Sequence, residues 1–115
     1  MRILFVADVF GAPGRRAIET RLAALREELL VDFCIVNGEN AASGRGITAK
    51  LAEKLLASGA DVVTLGNWTW GQRDVGAYLA GAERVRRPAN MSAYAPGRVL
   101  VVAPARDGTP VAVVN

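Results

Sequence analysis

Histidine is absent from the 115-residue sequence, and this gap excludes more chemistry than any other feature of the composition. Without an imidazole the chain holds no Ser-His-Asp or Cys-His catalytic arrangement, no His general acid, and no His-based zinc, iron or copper site. Any metal must be bound through oxygen, and acid-base chemistry falls to Asp, Glu, Lys, Tyr or water. Cysteine is almost as scarce. Cys34 alone permits neither an internal disulfide nor a thiolate zinc site, and within Phe33-Cys34-Ile35-Val36 it occupies an apolar strand position where a free thiol is normally buried and inert. Long apolar runs are missing too: the longest, residues 3–7 and 99–103, are strand-sized, far below the roughly 18 residues of a bilayer span. Asp8 interrupts the N-terminal run too early for a signal peptide, so the expected location is the cytoplasm. No block of five or more basic residues marks a nucleic-acid tail. The net charge of +3 suits an anionic small molecule, whereas nucleic-acid binding finds no support in scattered arginines.

What is present is a globular composition, 51% hydrophobic and 22% charged, sufficient for one core. It is too short for two, because a domain takes on the order of 100 residues. Residues 2–7 are a continuous apolar segment that reads as a strand buried on both faces. After a turn through Asp8 to Gly14, Ile18, Leu22, Leu25 and Leu29 recur at spacings of four, three and four. That stripe predicts an amphipathic helix over residues 15–30, with Pro13 tolerated near its first turn. A second strand over residues 31–36 ends at Asn37-Gly38-Glu39-Asn40. Gly44-Arg45-Gly46 breaks the chain, and Thr48 is the expected N-cap of a helix through Leu51, Leu55 and Leu56 that Gly59 stops. A third strand over residues 61–65 ends at Gly66-Asn67-Trp68. The β-α-β-α-β order predicts parallel strands with right-handed crossovers in an α/β sheet. A short helix near residues 73–80 and a strand near 84–86 follow, then a loop from Pro88 to Gly97. Residues 98–103 and 110–114, joined across Asp107-Gly108, predict a C-terminal β-hairpin.

In a parallel sheet ligands collect beyond the carboxyl ends of the strands, and here those ends carry Asp8, then Glu39 and Asn40, then Asn67. Four oxygen-bearing side chains on one edge suit a hard cation such as Mg²⁺, Mn²⁺ or ferrous iron. The same residue types also serve as turn formers and helix caps, so the residues alone leave both readings open. Gly11 to Arg16 lacks the Lys-Ser/Thr of a P-loop, and no Gly-x-Gly-x-x-Gly follows the first strand. Arg15 and Arg16 at a helix start either attract an anion or are solvated, the latter being favoured. Trp68, Trp70 and Tyr94 either stack on a base or pack against neighbouring loops.

Longer strings narrow these alternatives. Leu4-Phe5-Val6-Ala7-Asp8-Val9-Phe10-Gly11 with Pro13-Gly14-Arg15-Arg16 comes first. Val36-Asn37-Gly38-Glu39-Asn40-Ala41-Ala42 with Gly44 and Gly46-Ile47-Thr48 comes next. Thr64-Leu65-Gly66-Asn67-Trp68-Thr69-Trp70 and Arg87-Pro88-Ala89-Asn90 complete the set. In this order and spacing they resemble the calcineurin-like metallophosphoesterases, in the bacterial branch linked to 2',3'-cyclic-nucleotide 2'-phosphodiesterase activity. The resemblance implies a dinuclear centre of iron, manganese or magnesium in an αββα sandwich. In it Asp8 binds one metal, Glu39 bridges both, Asn40 and Asn67 bind the second, and a bridging hydroxide attacks phosphorus. The family's general acid is a His directly after the Asn of the third motif, and here that residue is Trp68. An indole N–H does not titrate near neutral pH, so a contribution of about 10²–10⁴ in rate is lost.

Family members are longer, and their second half supplies further His ligands from later strand ends. Residues 1–115 are therefore expected to form a single metallophosphoesterase-like domain that is truncated, the N-terminal half of the sandwich. The implied function is metal-dependent hydrolysis of phosphodiesters such as 2',3'-cyclic nucleotides, impaired in this chain by the lack of all His. The alternative is a noncatalytic homologue or fragment acting as an anion- or nucleotide-binding or interaction module. Apolar faces that a second half would bury predict a homo-oligomer.

Overall fold

Four strands, β1 (Ile3–Val6), β2 (Phe33–Asn37), β3 (Val62–Thr64) and β4 (Val85–Arg86), form a parallel sheet in the order β1-β2-β3-β4. The structure is a computed structural model and describes residues 1–115. Parallel neighbours cannot be joined by tight turns, and helices α1 (Gly11–Glu28), α2 (Ala49–Ala57) and α3 (Val75–Gly81) provide the crossovers. Their apolar stripes, Ile18 and Leu22 of α1, Ala52 and Leu55 of α2, and Val75 and Leu79 of α3, close one face of the sheet over Cys34, Val36, Val63 and Val85. Strands β5 (Leu100–Pro104) and β6 (Pro110–Val114) pair antiparallel as a separate hairpin. The hairpin lies on the opposite face, where Val113 and Ala105 bury Phe33 and Val62. The layers are therefore helix, sheet, sheet. No helix is long and apolar enough to cross a membrane.

The local signals act as expected. Thr48 caps α2 by accepting from the Leu51 N–H at 3.2 Å. At the hairpin tip Gly108 adopts φ +86°, and the Asp107 carboxylate accepts from the Thr109 N–H at 2.9 Å. Two expectations need correction. Helix α1 begins at Gly11, not at residue 15, because Pro13 falls in the first turn, where its missing N–H forfeits no intrahelical bond. Strand β1 is not buried on both faces: Ile3 and Phe5 are 52% and 57% exposed. They share the face of Phe33 and Ile35, yet β1 is the edge strand and the hairpin does not reach over it. The outer face of the hairpin is also open, with Leu100, Val102 and Val114 exposed in register with one another or with Ala112.

Cys34 is buried on the helix side, as an inert strand thiol should be. Its backbone N–H donates to the Asp61 carboxylate at 2.7 Å, and that carboxylate pairs with Arg26 at 3.0 Å. Burial pushes the thiol up to about 11, with Arg26 opposing the shift and Asp61 adding to it. An unfolded thiol ionises near about 8.5, so the unfolded state alone releases the proton above that value. Stability is therefore expected to be unaffected below about pH 8.5 and to fall as pH rises from there towards 11. Urea midpoints at pH 7 and pH 10 test this: Cys34→Ala should remove the part of the decline due to the thiol. An unchanged decline in the variant would refute the assignment.

Candidate functional site

Each of the first three strands hands its chain to a loop at the carboxyl edge, and backbone hydrogen bonds tie these loops together. The Val9 N–H donates to Asn37 O, Gly11 N–H to Asn40 O and Gly38 N–H to Thr64 O, at 3.0, 3.0 and 2.9 Å. Asp8, directly after β1, adopts φ +48°, a left-handed conformation that Asp tolerates better than most residues. The result is a direct contact between two of the residues singled out above: Asn40 Nδ2 donates to Asp8 Oδ1 at 2.5 Å. The other end of that amide is different. Asn40 Oδ1 is buried and has no hydrogen-bond partner. An unmet buried acceptor costs on the order of 1–3 kcal/mol, a cost that an electropositive group in contact with this oxygen would offset.

Glu39 is held from the end of its own strand and from the loop after β3. Asn37 Nδ2 donates to its Oε1 at 3.2 Å and the Trp68 N–H to its Oε2 at 3.4 Å. Beneath the carboxylate lies Gly66, where an added Cβ would fall 2.2 Å from both Glu39 oxygens. Only a residue without a side chain leaves room for the carboxylate. Asn67 stands exposed between Gly66 and Trp68, and its side chain is not part of the bonds that fix Asp8, Asn40 and Glu39. The Thr69 hydroxyl, fully buried, donates to Gly66 O at 2.6 Å and locks this loop. Trp68 is 36% exposed, with the Arg45 guanidinium 4.6 Å from its ring centroid. No three His, Cys, Asp or Glu side chains are placed together so as to hold a metal ion, so a cation at this edge would need neutral oxygen ligands besides Asp8 and Glu39.

Several residues of this edge escape sequence reasoning. Asn37 reads as half of an Asn-Gly turn, and Gly66 as an ordinary loop glycine. The stacking of Arg45 on Trp68 joins segments with no local relation. Asn115, which donates from Nδ2 to Leu65 O and Arg86 O at 2.8 and 3.1 Å, anchors the hairpin to the strand ends. Arg15 is neither a free anion binder nor a solvated side chain: its Nη1 donates to Ala41 O at 2.5 Å, fastening α1 to the Glu39 loop. Trp70 and Tyr94 are 42% and 99% exposed.

The model of the YmdB-like protein family matches residues 4–115. Over 115 residues the chain is 39% identical to the 2',3'-cyclic-nucleotide 2'-phosphodiesterase of Bacillus subtilis (strain 168), covering 100% of this chain and 43% of that protein. The crystal structure of a hypothetical protein from Thermus thermophilus superposes with a TM-score of 0.88 at 37% identity, over 99% of this chain and 44% of that one. A novel phosphatase from Mycoplasma pneumoniae gives a TM-score of 0.80 at 32% identity, over 88% of this chain and 37% of that one. The chain spans less than half the length of each of these proteins.

Proposed function

Because the chain belongs to the YmdB-like protein family, we propose that its carboxyl edge is part of a metal-dependent phosphodiesterase site acting on phosphodiesters such as 2',3'-cyclic nucleotides. In this reading residues 1–115 are one metallophosphoesterase-like domain, the N-terminal half of an αββα sandwich, working in the cytoplasm. The observation that supports it best is the Asn40 amide, whose Nδ2 is committed to Asp8 while Oδ1 is buried without a partner. Asp8, Glu39, Asn40 and Asn67 would hold two divalent cations, iron, manganese or magnesium, because a purely oxygen donor set matches hard ions. When bound, such cations acidify a coordinated water and neutralise the charge that develops on the phosphoryl oxygens.

The chain's own residues position and restrict. Gly66 and the Trp68 N–H hold the Glu39 carboxylate in place, and Asn40 orients Asp8. Arg45 brings positive charge over Trp68, which favours an anionic substrate at this edge. Trp68 holds no transferable proton for a leaving alkoxide, so turnover is expected near background. Mn²⁺ titration followed by electron paramagnetic resonance, beside a phosphodiesterase assay, tests the reading. Weak Mn²⁺ binding that Glu39→Gln removes is expected. No binding would refute the metal site, and robust turnover abolished by Glu39→Gln would refute the impairment. Trp68→His alone should leave activity at background, and the same change in a chain extended by a His-bearing second half should raise it. A noncatalytic nucleotide- or anion-binding module is the second reading, favoured by Arg45 stacked on Trp68. Nucleotide binding that persists with chelator present would select it.

The reading also includes self-association with a second copy. The outer hairpin face, Leu100, Val102, Ala112 and Val114, carries no charge and complements itself, and both hairpin edges are unpaired. Light scattering should give a dimer or larger species that Val102→Lys dissociates. A stable monomer at high micromolar concentration would refute it.

A further inference from the structure

Phe10 stands two residues after Asp8, at the start of α1, and its ring is 59% exposed. An exposed aromatic ring is ordinarily loose, but this one is seated. It lies on the backbone of Gly44, where an added Cβ would fall 2.5 and 2.7 Å from its Cζ and Cε2. Gly44 has φ +82°, so both the conformation and the clearance require glycine.

The next residue is Arg45. Its carbonyl oxygen accepts from Gln72 Nε2 at 2.7 Å, and an added Cβ on the following Gly46 would fall 3.1 Å from Trp68 O. The two loops therefore meet backbone to backbone, and their contact holds the Arg45 guanidinium 4.6 Å from the centre of the Trp68 ring. Arg45 enters no ion pair, unlike Arg26 and Arg106. Trp68 in turn is tied to the carboxyl edge through its N–H on Glu39. Phe10, Arg45 and Trp68 thus form one exposed run from the Asp8 loop to the Glu39 carboxylate. An apolar ring and a planar cation left in water contribute little to folding, yet both are surfaces on which a nucleobase stacks.

We propose that this run is a nucleobase subsite. The base stacks on the Phe10 ring and the outer face of the Arg45 guanidinium, and the phosphate of the same nucleotide points towards Asp8 and Glu39. Trp68 backs the guanidinium and keeps its plane in place. The subsite rests on the reading of this edge as one that receives a nucleotide, which both functions proposed above share. It adds the residues that separate a nucleotide from a phosphate ester without a base.

Adenosine tests the subsite in the Trp70→Phe chain, where Trp68 is the one remaining indole. Fluorescence is excited where adenine does not absorb, with a chelator present. A saturable change in Trp68 emission is expected with adenosine and none with ribose, because only the base covers the guanidinium that lies on the indole. Phe10→Ala and Arg45→Lys should each weaken binding about tenfold, the loss of one stacking surface, and Phe10→Tyr should retain it. Lysine keeps the charge of Arg45 and loses its plane. Both positions are exposed, so the variants should fold, and circular dichroism checks this. Should Phe10→Ala unfold, Arg45→Lys alone decides. No change in emission with adenosine, an equal change with ribose, or undiminished binding by a folded Phe10→Ala or Arg45→Lys chain would each overturn the proposal. Adenosine carries no phosphate and needs no cation, so failure here and failure of the metal site are separate results.

Discussion

Phe33→Ala is expected to destabilise the chain by about 3–5 kcal/mol, a large part of the roughly 5–15 kcal/mol that holds a domain together. Phe33 is fully buried between the two sheets, packed with Val62, Val113 and Ala105. Those four residues form the buried apolar cluster between the hairpin and the parallel sheet, and the helix side of the fold has a cluster of sixteen. Loss of the ring therefore leaves a cavity in the smaller cluster, where few neighbours remain to close it. Ile3→Ala is the matched control. Ile3 lies beside Phe33 in register on the same face, yet it is 52% exposed, and its replacement should cost less than about 1 kcal/mol. Urea unfolding followed by circular dichroism measures both. Equal midpoints for the two variants would mean that the hairpin does not pack on β2 as described.

Gly66→Ala is expected to leave stability within about 1 kcal/mol of the parent and to weaken Mn²⁺ binding at least tenfold. The backbone at Gly66 is not in the left-handed region, so alanine is not strained there, but its methyl carbon would lie 2.2 Å from both Glu39 oxygens. The carboxylate must swing away and lose its bonds from Asn37 and the Trp68 N–H. Glu39→Gln should give the same loss by removing the charge. Thermal melts separate the two effects: a folded Gly66→Ala chain that retains parent-like Mn²⁺ affinity would show that Glu39 is not held for a cation. Gly38→Ala is the contrasting case. Its methyl would meet Ile47, Leu55 and Val63 at 3.0–3.1 Å inside the core, so it should lower stability.

The sequence by itself determined the order and kind of the elements, because each rests on short-range physics: the spacing of Ile18 and Leu22 on α1, the Thr48 hydroxyl at the start of α2, the Asp107-Gly108 turn. It also brought Asp8, Glu39, Asn40 and Asn67 to one edge, since parallel strands must end on the same side of their sheet. Which of these side chains touch was not legible. Asp8 meets Asn40 across two loops, whereas Asn67 stays out of that contact, and loop-to-loop hydrogen bonds far apart in the chain decide it. The same limit explains β1. An apolar run records that a strand can be buried on both faces, but its place at the sheet edge depends on which strand it pairs with and how far the hairpin reaches. Arg84, Arg86 and Arg87 look alike in sequence. Arg86 is buried on the hairpin side of β4 and Arg87 against the loop whose Pro88 and Gly97 carbonyls it bonds, while Arg84 stays in water, because burial is a property of the assembled layers and not of the segment.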